Sequence, residues 1–330
     1  MKKYLIFVFF SVLFSCTSEK EKSSVRLEGF VFGTTYHISL VAETKNDFQK
    51  SIDSLFHLVN KSMSTYLPTS DISKINSGDT TIVIDEMFTE VYLKSQKIFQ
   101  ETAGYFDPTV GNLVNAWGFG PGKPVLNLDA TQITALMKGV GLQKTKLVNG
   151  KILKEDSSII LDFNSIAKGY GVDVISRFLE LNHIENYLVE IGGEIRAKGR
   201  NLNGDYWKVA LENPNTDGTQ SFKKIIALRD NAMATSGNYR KFRISKEGEK
   251  YVHTVNPKTG LATESNLLSA SVIANKDCAD VDAYATAFMA MGLEKTKLFV
   301  SQHTSIQVIL IYANSKGELQ EFSTFKNSKE

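Results

Sequence analysis

Apolar residues recur along this chain at two spacings. Phe48, Ile52, Leu55, Phe56, Val59 and Met63 fall on one helical stripe, as do Phe88, Val91, Tyr92, Ser95, Ile98 and Phe99 ahead of a stop at Gly104. Each predicts a core-facing helix. Runs of β-branched and aromatic residues predict strands at Val25–Val41, Thr80–Asp85, Ile159–Phe163, Tyr187–Ile195, Tyr206–Glu212, Phe222–Leu228, Leu267–Ala274 and Ile306–Tyr312. Asn149-Gly150, set between Lys146-Leu147-Val148 and Ile152-Leu153, signals a hairpin, and Glu247-Gly248 after Phe242–Ser245 signals another. Ser158–Ile195 reads as strand, tight turn, helix, strand, and Asp277–Gly292 as a helix that Asp277 or Asp280 caps. Hairpins outnumber crossovers, so the expected class is α+β, with mixed, largely antiparallel sheets and packed helices. No repeat and no Pro-rich or charged linker divides the body, so residues 26–330 read as one unit, built from two interlocked halves.

The N-terminus departs from this pattern. Lys2 and Lys3 precede an apolar run from Tyr4 to Phe14, the layout of a secretory signal and too short to span a bilayer as a mature helix. Leu13-Phe14-Ser15-Cys16 resembles a bacterial lipobox, with Phe14 bulkier than usual. Residues 1–15 therefore read as a lipoprotein signal peptide, Cys16 as the lipidation site and residues 16–25 as a polar tether, with a plain secreted form as the alternative. The expected location is the cell envelope, on a membrane and facing the periplasm or exterior. The chain has 38 basic and 36 acidic residues, and removing Lys2 and Lys3 leaves 36 basic against 36 acidic, so lipid rather than charge would hold the mature protein. The same balance argues against nucleic acid as a partner. Two cysteines, Cys16 and Cys278, suggest neither a disulfide framework nor a thiolate zinc site.

Several glycine-rich or histidine motifs fail on inspection. Gly118-Phe119-Gly120-Pro121-Gly122-Lys123-Pro124 has Trp117 where the first glycine of a phosphate loop belongs and Pro124 where its Ser or Thr belongs. No dinucleotide fingerprint follows a strand, and His-Glu-x-x-His is missing. The turn from Leu161 to Gly171 carries more. It leaves an apolar run at Asp162, passes through small residues and enters a helix at Lys168, so N–H groups, a carbonyl and an ammonium can converge on a phosphate or ribose; a plain capping turn built on Asp162 or Asn164 is the alternative. Asp282 and Thr286, four apart on a helix, place two hard oxygens on one face, a pair that suits Mg²⁺; alternatively Asp282 favours the helix dipole and Thr286 bonds back to a carbonyl. His253 ends a strand before an Asn-Pro turn, as a general acid or base, a phosphate ligand or a surface residue. Tyr66 and Phe106 lie beside turns, able to stack a flat ring or to cover core.

Taken in order, these segments resemble the ApbE family of FAD:protein FMN transferases. The matching motifs are Gly33-Thr34-Thr35-Tyr36, Met63-Ser64-Thr65-Tyr66, Ser73-Lys74-Ile75-Asn76, Phe106-Asp107-Pro108-Thr109-Val110, Trp117-Gly118-Phe119-Gly120, Asp162 to Tyr170, Glu190-Ile191-Gly192-Gly193-Glu194, Ala234-Thr235-Ser236-Gly237, His253 to Gly260 and Asp280 to Thr286. The resemblance implies an exported enzyme that moves the FMN half of FAD to a Thr or Ser hydroxyl of an exported redox protein and releases AMP, with Mg²⁺. It implies metal ligation by Asp282, Thr286 and a backbone carbonyl at Ser165 or, second, Ala167. It implies FAD contacts at Phe32, Tyr66, Tyr105, Phe106, Asp107, Asp162, Lys168 and Thr254, with His253 and Lys168 at the reacting pyrophosphate. Water in place of the acceptor would make the protein an FAD pyrophosphatase, and binding without chemistry a flavin-carrying lipoprotein.

Overall fold

The computed structural model describes residues 22–42, 48–125, 128–212, 222–238, 242–244, 250–262 and 265–326. The signal segment, Cys16 and the Glu247-Gly248 turn lie outside the described residues. In chain order the strands are β1 (Ser23–Val31), β2 (Thr34–Ala42), β3 (Thr145–Val148), β4 (Lys151–Lys154), β5 (Tyr187–Ile191), β6 (Glu194–Lys198), β7 (Trp207–Glu212), β8 (Phe222–Leu228), β9 (Ala232–Gly237), β10 (Phe242–Ile244), β11 (Lys250–Val252), β12 (Leu267–Ala274), β13 (Gln307–Ala313) and β14 (Leu319–Ser323). The helices are α1 (Gln49–Met63), α2 (Asp71–Asn76), α3 (Glu86–Glu101), α4 (Gly111–Ala116), α5 (Ala130–Met137), α6 (Ala167–Leu181), α7 (Cys278–Met291) and α8 (Leu293–Gln302).

Eight strands form one sheet in the order β1-β2-β5-β6-β9-β12-β13-β14, every neighbouring pair antiparallel. Strands β1, β2, β5 and β6 of the first half meet β9, β12, β13 and β14 through a short β6–β9 ladder, Ile195↔Met233 and Arg196↔Ala232. Central strands are apolar on both faces. Ala232 and Ala234 of β9, Val272 of β12 and Leu310 of β13 join the main core, whereas Met233, Ile273 and Ile309 join a second core on the other side. That second core is closed by Trp207 and Leu211 of β7 and Ile226 and Leu228 of β8. Helices cover the first face. α7 is buried nearly all round because it packs on β9 and β12 while α6 and α3 cover its other sides, and its sequence is correspondingly apolar and small apart from Asp280, Asp282 and Thr286.

The sequence reading needs correction at several points. The Val25–Val41 run is not one strand: Phe32 and Gly33, at φ 51° and 75°, form a two-residue turn that makes it the β1–β2 hairpin. Gly192-Gly193 divides Tyr187–Ile195 in the same way. β1 begins at Ser23, so Ser23, Ser24 and Val25, assigned to the tether, pair with β2 instead. Thr80–Asp85 is turn and extended chain that ends by capping α3, Asp85 accepting from Phe88 N–H. Ile159–Phe163 makes only an isolated parallel bridge, Ile160 to Val110, because its polar backbone is satisfied by side chain and loop: Asn76 bonds both N–H and C=O of Leu161, and Asp162 N–H donates to the Pro108 carbonyl at 2.7 Å.

Candidate functional site

Two helix beginnings meet at the centre of the helical face. Ile166, at the start of α6, offers no side-chain cap. The orphan N–H of Gly169 is satisfied from elsewhere, by Asp282 Oδ2 of α7 at 3.0 Å. The approach is close enough to require glycine: a Cβ at residue 169 would stand 2.4 Å from the Cys278 carbonyl oxygen. Lys168, the neighbouring residue, reaches Glu194 Oε1 of β6 at 2.7 Å and lies 3.8 Å from Asp282 Oδ2. The Lys168 side chain is 30% exposed while those of Glu194 and Asp282 are 4% and 3% exposed, so one partly exposed lysine faces two buried carboxylates. Next along α7, Thr286 Oγ1 lies 3.3 Å from Ser236 Oγ of β9.

The electrostatics follow from this count. Burial pulls Lys168 down, but Asp282 and Glu194 outweigh it and hold the ammonium well above the ordinary lysine range. Burial pushes the Glu194 carboxyl up to about 8 against the pull of Lys168, and the Asp282 charge adds to the push. Asp282 is likewise raised by burial, against Lys168 and the Gly169 N–H. Two carboxylates therefore share one ammonium, and Glu194 Oε2 is buried with no hydrogen-bond partner. Both contacts to Asp282 use Oδ2. No cluster of three or more His, Cys, Asp or Glu side chains among the described residues could hold a metal. The donors here are instead one carboxylate, Asp282, and one hydroxyl, Thr286, one helical turn apart on α7, hard oxygens of the kind that fit a small divalent cation.

The mouth is built from loops. Asp162 is buried and accepts the Asn164 N–H at 2.8 Å, while Asn164 Nδ2 reaches Thr65 Oγ1 at 3.2 Å and ties the Asp162 turn to the Tyr66 loop. Burial raises the Asp162 carboxyl. Burial first, then the Asp162 charge, raises the Tyr66 hydroxyl, although the Tyr66 side chain is among the most exposed aromatics. Its hydroxyl faces the Phe119 carbonyl at 3.5 Å, and the Phe119 ring stands edge-on to His253 at 6.5 Å. Trp117 Nε1 donates to the Gly260 carbonyl and Asn256 Nδ2 to the Ala290 carbonyl, so the segment carrying His253 and Thr254 is fastened both to the Phe119 loop and to the far end of α7.

The structure thus brings Tyr66, Asp162, Ser165, Lys168, Asp282 and Thr286 onto linked elements, with His253 and Thr254 half-buried on the adjoining loop. Phe32, on the β1–β2 turn, presses on α6 at Gly171 and meets Phe56 edge-on at 5.6 Å. Phe106 is a correction: at 1% exposure its ring is core and cannot stack a ligand. Asp107 is buried too, its Oδ1 taken by the N–H and hydroxyl of Thr109. The surface of that segment is Tyr105, whose ring lies 4.7 Å from Lys295 Nζ and 5.8 Å from Lys258 Nζ. Sequence reasoning gave no role to Glu194 or Ser236. The available signal for Glu194 was an acidic residue directly after the Gly192-Gly193 turn, opening a strand beside Ile195; only tertiary contact shows that it faces Lys168.

Comparison with known proteins identifies the family. The ApbE family model matches residues 32–310, and the chain belongs to that family. It is 35% identical over 315 residues to the FAD:protein FMN transferase of Vibrio cholerae, covering 93% of each chain. It is 34% identical over 319 residues to the protein of that name from Haemophilus influenzae, covering 93% of this chain and 91% of the other. The solved flavin transferase ApbE from Vibrio cholerae superposes with a TM-score of 0.82 at 32% identity, over 92% of this chain and 97% of that one.

Proposed function

We propose that this chain transfers the FMN moiety of FAD to a Thr or Ser hydroxyl of an exported acceptor protein, releasing AMP. The observation that carries the reading is the junction of α6 and α7, where Lys168 and Asp282 meet at the α6 N-terminus with Thr286 one turn further along α7. It is supported by membership of a family whose curated relatives bear that activity in their names.

Phosphoryl transfer needs charge neutralisation and an in-line approach more than covalent chemistry. Lys168, held protonated by its two carboxylate neighbours, supplies fixed positive charge to a phosphate. Asp282 Oδ1, Thr286 Oγ1 and the Ser165 carbonyl are the groups that would hold Mg²⁺; when bound, the ion supplies neutralisation of the diphosphate oxygens. Tyr66, exposed at the mouth, offers a face for one of the ring systems. His253, edge-on to Phe119, is the residue that would take the acceptor hydroxyl proton or orient a phosphate oxygen. The signal-like N-terminus and Cys16 support a lipid-anchored protein working in the cell envelope, where its acceptor would also be exported.

The test is incubation with FAD, Mg²⁺ and a candidate exported flavoprotein fragment. An FMN adduct on Thr or Ser by mass spectrometry, matched by AMP release that depends on the acceptor, is the expected result. Equal AMP release without acceptor would make the protein a pyrophosphatase, and recovery of intact FAD would make it a carrier.

A further inference from the structure

The two helices that meet at the site cap each other. Asp282 of α7 supplies the missing cap of α6, and in return Asp173 of α6 serves the start of α7: its Oδ1 accepts Cys278 N–H and its Oδ2 accepts Ala279 N–H, both at 2.8 Å. Asp277 occupies the cap position of α7 but does not cap it, because its carboxylate is engaged by Lys94, Arg177 and Arg196. Arg196 Nη1 bridges the two acids, 3.1 Å from Asp173 Oδ1 and 3.0 Å from Asp277 Oδ1. Asp173 is fully buried, so it has no solvated alternative to these partners.

We propose that Asp173 is a positioning residue for the transfer reaction: by capping α7 it fixes the register in which Asp282 and Thr286 face the Ser165–Gly169 turn. The inference rests on the cation reading given above. Its geometry is reciprocal. The Gly169–Cys278 contact leaves no room for a side chain, so the helices have one closest approach and the two carboxylates hold them in it from opposite ends. Losing the Asp173 bonds frees the first turn of α7, which lies one turn before Asp282. Asp282 would then lose its aim at the turn, although no group that touches substrate has been altered.

The experiment measures the rise in melting temperature of the metal-free protein as Mg²⁺ is added, which gives a half-saturating concentration without any assay of activity. Wild type is expected to respond and Asp282→Ala to lose the response. Asp173→Asn keeps one acceptor but places an amide against a backbone N–H. It is expected to raise the half-saturating Mg²⁺ about tenfold or more, the usual effect of losing a group that orients a ligand. Ile226→Ala, in the core on the opposite sheet face, destabilises the fold but should leave the Mg²⁺ dependence alone. If Asp173→Asn does not fold, Arg196→Lys decides the matter, since it keeps the charge but loses the guanidinium whose Nη1 bridges Asp173 and Asp277; a severalfold rise is expected. An Mg²⁺ dependence within about twofold of wild type in the folded variant, with Asp282→Ala still unresponsive, overturns the role of Asp173. A response retained by Asp282→Ala overturns the cation reading instead.

Discussion

Replacing Asp282 by alanine should separate function from stability. Removing one partner of an ordinary buried ion pair costs about 3–5 kcal/mol, because the other charge is left buried and alone. Lys168 would not be left alone, since Glu194 Oε1 stays 2.7 Å away. Two losses remain: the charge-assisted bond to Gly169 N–H, about 1.5–3 kcal/mol, and the favourable placement of a carboxylate at the α6 N-terminus, about 0.3–1 kcal/mol. Against them stands relief of a buried like charge, the one that helps push Glu194 up to about 8. These terms oppose one another at similar size, so the expected net change in unfolding free energy is within about 2 kcal/mol of zero. Urea unfolding of the metal-free variant gives the stability, and mass spectrometry of the acceptor gives transfer, which is expected to be abolished. A loss of about 4 kcal/mol or more would show Asp282 to be the structural counter-ion of Lys168. A fold of wild-type stability that still transfers FMN would remove Asp282 from the reaction.

Three further outcomes can be checked. Gly169→Ala puts a methyl 2.4 Å from the Cys278 carbonyl oxygen and should cost about 1–3 kcal/mol or more while weakening the Asp282 contact, read by thermal melting with and without Mg²⁺. Burial pushes Asp277 up, but Lys94, Arg177 and Arg196 outweigh it and hold the carboxyl down to about 2. A depressed carboxylate stabilises the fold above its unfolded pKa, and that stability is lost as pH falls from about 4 toward 2; after discount for partial exposure the loss is about 1–2 kcal/mol, and Asp277→Asn should flatten the acid-unfolding curve in this window. Cys16→Ala should move the protein from the membrane to the soluble envelope fraction; a variant that stays on the membrane would refute lipidation at Cys16.

Much of the fold was legible because its elements carry local signals. The amphipathic stripes of α1 and α3 and the Asn149-Gly150 hairpin appear where their patterns place them. Strand β9 gave little signal, since Ala-Met-Ala-Thr-Ser-Gly lacks the β-branched bulk of a strand and gains its stability from ladders on both sides. Ile159–Phe163 misled for the opposite reason, being apolar enough for a strand but paired mostly through the Asn76 side chain and the Pro108 carbonyl. Around the α6–α7 junction, the shared helix face of Asp282 and Thr286 was readable from their spacing, and the turn from Asp162 into α6 from its small residues. Glu194, Ser236 and Asp173 were not, because each acts on a partner at least 23 residues away and no local pattern records which face it meets. Phe106 was misplaced because a turn aromatic beside glycine looks alike whether it faces a ligand or the core.

A crystal structure of the protein with FAD and Mg²⁺ bears most directly on the α6–α7 junction as the seat of the diphosphate. The expected density places the FAD diphosphate beside Lys168 with a cation between it, Asp282 and Thr286, and Tyr66 against a ring. A diphosphate bound away from Lys168, or a cation held without Asp282, would contradict the account.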